Sequence, residues 1–186
     1  FLSFKCYIHI KNGSGSERLF CIYVLIYREI IDDMMRFGWD NYDYVEKFEK
    51  EFAEYHKRKY CLMTPSCTMA IYLSLKALNI KKDDEIIVPD VTWTATVSPV
   101  IEVGAKPIFI DIEKKNWCIN IDNITKKINP KTKAIIAVDL FGNMPDMKKL
   151  RDICKKYKIF LLEDSAEALG SEFKGTKAGK FGDISF

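Results

Sequence analysis

The sequence predicts an α/β fold with a mostly parallel sheet flanked by helices. Two observations support this prediction. Helical patterns and short apolar runs alternate along the chain from about residue 40. The apolar runs are continuous instead of alternating with polar residues, as in residues 85–88 (EIIV), 134–138 (AIIAV) and 159–162 (IFLL). Continuous apolar strands are buried on both faces, which is typical of parallel sheets covered by helices.

The helical segments are predicted from apolar residues at helical spacing and from residue types that begin or end helices. Gly104 is expected to end a helix, and Asp122 is expected to cap one. The predicted helices run from Val45 to Tyr55, from Ala70 to Leu78, from Thr92 to Val103, from Asp122 to Ile128 and from Asp146 to Tyr157. The predicted strands cover residues 85–88, 107–111, 134–138 and 159–162, and residues 60–63 form a further strand-like run.

Composition excludes two classes of protein. The 186 residues are 48% hydrophobic and 30% charged, with a net charge of +3, so a disordered chain is excluded. The 29 basic residues are balanced by 26 acidic ones and form no separate basic cluster, which argues against nucleic-acid binding. A chain of this length can bury one sizeable core.

Cysteine and histidine positions predict no metal site. The six cysteines are far apart and form no CxxC motif, and the histidines are His9 and His56. We expect the cysteines to be reduced. His56 follows a predicted amphipathic helix beside Lys57 and Arg58, so we expect it to be solvated.

The first 36 residues differ from the rest and receive no assignment, whereas residues 37–186 are predicted to form one domain. The apolar run from Leu19 to Tyr27 has nine residues, and a membrane-spanning helix needs about 20, so no membrane span is predicted. The chain begins at Phe1 and stops at Phe186 without a turn signal, and we expect both ends to be cut points.

Polar residues follow the predicted strands at three places, namely residues 66–68, 90–94 and 164–167. Ligands of parallel α/β sheets bind beyond the carboxyl ends of the strands. We therefore expect the three loops to meet at one edge of the sheet and to form a binding site.

Ser66, Cys67 and Thr68 stand at the start of a predicted helix. A helix N-terminus carries unpaired N–H groups and partial positive charge, which suits a phosphate group. Serine and threonine are also favoured as plain N-caps. This triplet alone leaves both interpretations open.

Trp93, Asp164 and Glu167 are the other candidates for the site. The indole of Trp93 can stack on a planar ring or belong to the core. The carboxylate of Asp164, at a strand end, can pair with a protonated ring nitrogen or cap a following helix. Glu167 can reach the same site or act as the acid of a capping box.

Four segments in a fixed order carry a resemblance to a known family. They are WDNYDYVEKFEKEFAEYHKRKYCLMTPSCTMAIYLSLKAL, DEIIVPDVTWTATVSPVIEVGAKPIFIDI, TKAIIAVDLFGNMPDM and LLEDSAEALGSEFKGTKAGKFGDISF. From about Gly38 to Phe186 the chain resembles the DegT/StrS-type sugar aminotransferases. These are pyridoxal 5'-phosphate (PLP) enzymes with the aspartate-aminotransferase fold, PLP fold type I.

The resemblance implies that residues 37–186 are a truncated large domain that binds PLP. It implies transfer of an amino group from an amino acid, usually glutamate, to a nucleotide-linked keto-sugar, for cell-surface polysaccharide or related sugar biosynthesis. The complete protein is expected to be a cytoplasmic homodimer whose partners are a nucleotide-sugar substrate and an amino-acid donor, with no nucleic acid and no membrane.

The family roles then apply position by position. The resemblance places Ser66, Cys67 and Thr68 in the phosphate-binding turn and Trp93 against the face of the pyridine ring. It pairs Asp164 with the ring nitrogen and places Glu167 near the phenolic oxygen of the ring. A carboxylate beside the ring nitrogen keeps the ring protonated, which lets the ring accept electrons from the substrate.

No catalytic residue is assigned within the chain, because the resemblance places the Schiff-base lysine beyond Phe186. Two alternatives to amino transfer therefore stay open. A branch of the family that has histidine in place of the lysine dehydrates deoxysugars with PLP or its amine form, PMP. The chain can also be a non-catalytic remnant of the same fold.

Overall fold

The computed structural model describes residues 43–186, and its compact unit spans Phe52–Phe186. The predictions for residues 1–36 lie outside the described residues. Within the described range the helices are α1 (Asp43–Tyr55), α2 (Cys67–Ala77), α3 (Thr94–Glu102), α4 (Ile121–Ile124) and α5 (Met147–Tyr157). The strands are β1 (Glu85–Pro89), β2 (Lys106–Ile110), β3 (Thr132–Val138), β4 (Phe160–Asp164), β5 (Glu172–Phe173), β6 (Thr176–Lys177) and β7 (Ile184–Ser185).

Five strands form one sheet in the order β2-β1-β3-β4-β7, and every neighbouring pair is parallel. The short strands β5 and β6 form a separate antiparallel hairpin. The prediction of a mostly parallel sheet flanked by helices is confirmed.

The two faces of the sheet carry separate hydrophobic clusters, because successive side chains of a strand point to opposite faces. Ile86 and Val88 pack on one face with residues of α2 and α3, including Ile71 and Val100. The intervening Ile87 packs on the other face with α4 and α5. The continuous apolar runs in the sequence thus reflect burial on both faces.

The helix termini confirm several sequence signals. Ser66 is the N-cap of α2 and Asp146 the N-cap of α5, and each accepts a hydrogen bond from a backbone N–H three residues later. Gly104 has a φ of +85° just beyond α3, a conformation that suits glycine and ends the helix.

Two predicted elements were wrong. Helix α4 is capped by Asn120 instead of Asp122 and ends at Ile124, well before Ile128. Residues 60–63 form no strand, and the side chains of Tyr60 and Leu62 are exposed. An apolar run becomes a strand only where a neighbouring strand pairs with its backbone, and the local sequence does not specify that pairing.

The prediction that His56 is solvated was also wrong, because its side chain is 6% exposed. Its ring lies 4.6 Å from the ring of Phe52, and Gly179 leaves it space, since a Cβ at Gly179 would lie 3.3 Å from the imidazole. Neither ring nitrogen has a partner within the described residues. Burial lowers the pKa of His56, as does the charge of Lys177, which favours the neutral imidazole.

The segment that leads into β7 is held by the buried carboxylate of Glu163. Its oxygens accept hydrogen bonds from the backbone N–H groups of Gly179, Phe181 and Gly182 at 2.7–2.8 Å. The hydroxyl of Ser185 donates to the same group at 3.2 Å. Four donors therefore satisfy a charge that has no exposure to solvent.

Asp183 also holds this segment in place. Its Oδ1 accepts from the Arg151 guanidinium at 2.7 Å, and its Oδ2 accepts from the Leu161 N–H at 2.9 Å. Gly182 allows the close approach, because a Cβ there would lie 2.9 Å from the Cβ of Glu163.

We expect Glu163→Gln to lower the free energy of unfolding by about 3 kcal/mol, because an amide nitrogen replaces an acceptor of charge-assisted hydrogen bonds. Urea unfolding of the chain measures this change. The control is Glu172→Gln, at an exposed glutamate, which should leave stability within about 0.5 kcal/mol of wild type. Equal losses in the two variants would contradict the role of Glu163.

Candidate functional site

The candidate site lies at the carboxyl ends of β1, β3 and β4. From β1 the chain adds β2 on one side of the sheet, and β3 and β4 then follow on the other side of β1. The direction in which strands are added therefore reverses between β1 and β3. Ligands of open α/β sheets bind at such a switch point. Hydrogen bonds join the segments that follow these three strands, as described below.

Asp164, the last residue of β4, is 6% exposed. Its Oδ2 accepts a hydrogen bond from the Thr96 hydroxyl at 2.9 Å, and the Thr92 hydroxyl lies 2.9 Å from that of Thr96. Its Oδ1 lies 3.8 Å from the Cys67 Sγ and 3.4 Å from the backbone nitrogen of Ala166. The carboxyl group therefore joins the starts of α2 and α3 to the end of β4.

Burial controls the ionisation of this group. Desolvation raises the pKa of Asp164, and hydrogen bonds led by that of Thr96 oppose the increase. A cation placed against Asp164 favours its ionised form, so the site suits a positively charged ligand atom. Burial also raises the pKa of the Cys67 thiol to about 12, and this thiol stays protonated at neutral pH.

The N-terminus of α2 faces the same region through Cys67. Ser66 caps the helix by accepting from the N–H of Met69 at 3.2 Å, so the N-cap interpretation is correct. The backbone N–H groups of Cys67 and Thr68 have no partner within residues 43–186. These donors and the hydroxyl of Thr68 form a set that suits an anion.

Trp93 directly precedes α3 and is 77% exposed, so its interpretation as a core residue was wrong. Its carbonyl accepts from the Thr96 N–H at 3.0 Å. The indole therefore lies within one helical turn of the residue that bonds Asp164. An exposed aromatic face at this position is free to stack on a planar ring.

Glu167 contacts the loop after β3. No helix follows Asp164 in the described chain, so the helix-capping interpretations of Asp164 and Glu167 were wrong. Glu167 Oε2 instead accepts from the Phe141 N–H at 2.8 Å. Phe141 is 71% exposed and has a φ of +55°, a conformation rarely adopted by non-glycine residues. This hydrogen bond holds the loop beside the site.

Asp139, which follows β3, adds a second buried carboxyl group. Its Oδ2 accepts from the Ser165 hydroxyl at 2.8 Å, and its Oδ1 has no partner among the described residues. Desolvation, followed by the charges of Glu163 and Asp164, raises the pKa of Asp139 to about 8. The group is therefore mostly protonated at neutral pH.

Sequence reasoning missed Thr96 and Asp139. Asp139 directly follows an apolar strand, the same signal that identified Asp164, so the strand-end rule could have found it. Thr96 stands three residues after Trp93, a spacing that places two residues on one helical face. Its contact with Asp164 depends on how α3 packs on the sheet, which the local pattern does not reveal.

A cavity of about 760 Å³ borders the candidate site in the compact unit. Residues 58–64, one side of α2 and the β7 region contribute to its walls, and most of the surrounding side chains are apolar. None of the six predicted site residues lines it, but Ser165 and Ala166, which directly follow Asp164, do. The cavity therefore adjoins the candidate site at the end of β4.

The chain belongs to the DegT/DnrJ/EryC1/StrS aminotransferase family, whose model matches residues 27–186. The match confirms the resemblance and begins earlier than Gly38, where the sequence motifs had placed its start. The prediction of the family is thereby confirmed.

Individual relatives agree with this assignment. GDP-perosamine synthase of Vibrio cholerae is 39% identical over 160 residues, which are 85% of this chain and 44% of that protein. The aminotransferase from Psychrobacter cryohalolentis has a TM-score of 0.73 at 35% identity, over 75% of this chain and 35% of its own. The Escherichia coli GDP-4-keto-6-deoxy-D-mannose-3-dehydratase, with bound hydrated PLP, has a TM-score of 0.75 at 33% identity, over 84% of this chain and 42% of its own.

This chain thus spans less than half the length of the proteins that it matches. PLP, which is bound in a structural neighbour, is the cofactor that family membership indicates. The side chains present fit that cofactor. A buried carboxyl group suits a protonated ring nitrogen, unpaired N–H groups suit a phosphate, and an exposed indole suits the ring face.

No helix within residues 43–186 is long and apolar enough to cross a membrane, and no cluster of potential metal ligands occurs in that same range. Among the described cysteines, Cys67, Cys118 and Cys154 are free thiols.

We expect Asp139→Asn to change how stability depends on pH. Between pH 3.8 and about 8 the folded state holds a proton on Asp139 that the unfolded state has lost. The free energy of unfolding therefore falls with rising pH, by up to about 1.4 kcal/mol per pH unit from this group. Asparagine removes that contribution.

Urea unfolding of both proteins from pH 5 to pH 8 measures the effect. Relative to wild type, Asp139→Asn should gain stability as pH rises. Burial lowers the pKa of His56 in both proteins, so the contribution of His56 cancels in the comparison. If the free energies of unfolding of the two proteins changed with pH by the same amount, the raised pKa of Asp139 would be contradicted.

Proposed function

We propose that this chain is the cofactor-binding part of a PLP-dependent enzyme that transfers an amino group from an amino acid to a nucleotide-linked keto-sugar. One observation carries the proposal. The buried carboxyl group of Asp164 lies 3.8 Å from the thiol of Cys67, at the start of α2. A site for a ring nitrogen is therefore next to a site for a phosphate group, as the cofactor requires.

Each predicted residue has a physical role in this proposal. The N–H groups of Cys67 and Thr68, with the hydroxyls of Ser66 and Thr68, would hold the phosphate. The indole of Trp93 would cover one face of the ring. Asp164 would keep a proton on the ring nitrogen, since its ionised form is favoured by that positive charge. When bound, the cofactor supplies the electron-withdrawing ring that amino transfer requires.

Glu167 would act near the phenolic oxygen of the ring. Its Oε2 is already bonded to the Phe141 N–H, which restricts the position of the carboxylate. This restriction supports a fixed role for Glu167 at the edge of the site, because a tethered side chain loses little further entropy on binding.

We propose a GDP-linked 4-keto-6-deoxy sugar as the substrate and glutamate as the donor. The names of the Vibrio cholerae and Escherichia coli relatives support the nucleotide and the sugar, and the family resemblance supports glutamate. We further propose that the complete enzyme is a cytoplasmic homodimer in the biosynthesis of a surface polysaccharide or related sugar.

A second candidate function is dehydration of the same class of sugar. The specific observation that favours it is the similarity to the Escherichia coli dehydratase. Its TM-score of 0.75 is close to the 0.73 of the aminotransferase from Psychrobacter cryohalolentis. Asp164 and Trp93 serve the ring of the cofactor in either reaction.

We expect Asp164→Ala in the whole gene product to lower the rate of amino transfer at least about a hundredfold, because the ring nitrogen loses its counter-charge. The measurement is the rate of amino-sugar formation with saturating PLP. Asp152→Ala, at an exposed aspartate of α5, is the matched control and should keep the wild-type rate. A wild-type rate in Asp164→Ala would show that the ring-nitrogen assignment is wrong.

The product separates the two candidate functions. We expect the whole gene product, given PLP, glutamate and GDP-4-keto-6-deoxymannose, to form a GDP-linked 4-amino sugar that mass spectrometry identifies. A 3-deoxy product would instead support dehydration. Absence of both products, together with no PLP-dependent absorbance band, would contradict the proposed cofactor chemistry.

A further inference from the structure

We infer that Thr96, supported by Thr92, is a positioning residue that fixes the orientation of the Asp164 carboxylate toward the ring nitrogen of the cofactor. This inference rests on the proposed function and goes beyond it, because neither threonine was assigned a role by the family motifs. Three structural observations carry it.

The first observation is the unequal use of the two carboxylate oxygens. Oδ2 of Asp164 accepts a 2.9 Å hydrogen bond from the hydroxyl of Thr96, which is 1% exposed. Oδ1 has only long contacts, at 3.4 Å to the Ala166 nitrogen and 3.8 Å to the Cys67 sulfur. A carboxylate oxygen can accept more than one hydrogen bond, so Oδ1 is the atom available to a ring N–H group. Thr96 therefore selects which oxygen the ligand meets.

The second observation is the hydroxyl pair. Thr92 and Thr96 lie 2.9 Å apart through their Oγ1 atoms, and either can donate. When Asp164 is ionised, Thr96 donates to it and Thr92 donates to Thr96. Aligned hydrogen bonds that end on a charge strengthen one another. The pair thus stabilises the ionised carboxylate, which is the form that a protonated ring nitrogen requires.

The third observation is the link to Trp93. Thr96 lies in the first turn of α3, and its N–H donates to the Trp93 carbonyl at 3.0 Å. The hydroxyl of Thr96 therefore ties the turn that carries the indole to the end of β4. One side chain sets the distance between the group that would cover the ring and the group that would hold its nitrogen.

The groups around Asp164 determine how much its ionised form depends on the hydroxyl pair. The acidic neighbours that interact with Asp164 are Glu167 on the following loop and Asp139 at the end of β3. The Cys67 thiol on α2 stays neutral. Burial and the charge of Glu167 oppose ionisation of Asp164, and the Thr96 hydroxyl is the strongest of the contacts that favour it.

The test compares Thr96→Val, which keeps the shape but removes the hydroxyl, with Thr96→Ser, which keeps the hydroxyl. Thr125→Val is the matched control, because Thr125 is an exposed threonine directly after α4, outside the loops of the candidate site. Two quantities are measured. Carboxyl ¹³C NMR of the 186-residue chain gives the pKa of Asp164, and fluorescence titration of the whole gene product with PLP gives the dissociation constant.

We expect Thr96→Val to raise the pKa of Asp164 and to weaken PLP binding about tenfold, the effect of losing one charge-assisted hydrogen bond. Thr96→Ser should restore both quantities, and Thr125→Val should change neither. An unchanged Asp164 pKa in Thr96→Val would overturn the inference. If Thr96→Val does not fold, Thr92→Val replaces it and must raise the pKa in the same direction.

Asp164→Asn separates this inference from the proposed function. Loss of PLP binding in Asp164→Asn with normal binding in Thr96→Val would overturn the positioning role and leave the proposed function intact. Wild-type PLP binding in Asp164→Asn would contradict the proposed function itself. The pKa of Asp164 in the cofactor-free chain tests the hydroxyl pair independently of either result.

Discussion

The burial of two adjacent carboxyl groups at the end of β4 is the constraint on which the rest of this structure depends. Glu163 and Asp164 are both nearly inaccessible to solvent, and they point to opposite faces of the sheet because successive strand residues alternate. Each face must therefore supply its own donors. The α5 face supplies backbone N–H groups of residues 179–182, whereas the face covered by α2 and α3 supplies the Thr96 hydroxyl.

The two carboxyl groups differ in how completely they are satisfied, and this difference separates structure from function. Glu163 accepts four hydrogen bonds of ordinary length and needs no further partner. Asp164 accepts one short bond and two long contacts, so its charged form stays under-stabilised and its pKa is raised. A buried acid in this condition gains most from a cationic partner. The same strand end thus holds the chain together on one face and, under the proposed function, would bind the cofactor on the other.

The sequence predicted the sheet and its helices because double-sided burial leaves a direct pattern, as in the run from Ile86 to Val88. It also singled out Trp93 and Asp164 as candidate site residues, because strand ends are recognisable and ligands of such sheets bind there. It failed at His56, whose polar sequence neighbours predicted solvation although Gly179 covers the ring from far along the chain. The partners of Glu167 and Asp164, Phe141 and Thr96, are likewise distant in sequence, and only the packed fold brings them together.

The similarity of this chain to both an aminotransferase and a dehydratase agrees with the proposed site. Under the proposed function, Asp164, supported by Thr96, would hold the ring nitrogen, and Trp93 would cover the ring face. Both reactions need the same electron-withdrawing ring, so the residues that hold it experience the same physical demands. The two chemistries differ in what happens at the sugar carbon. Selection between them is therefore expected to lie in groups that act on the reacting carbon, while the strand-end residues stay common to both.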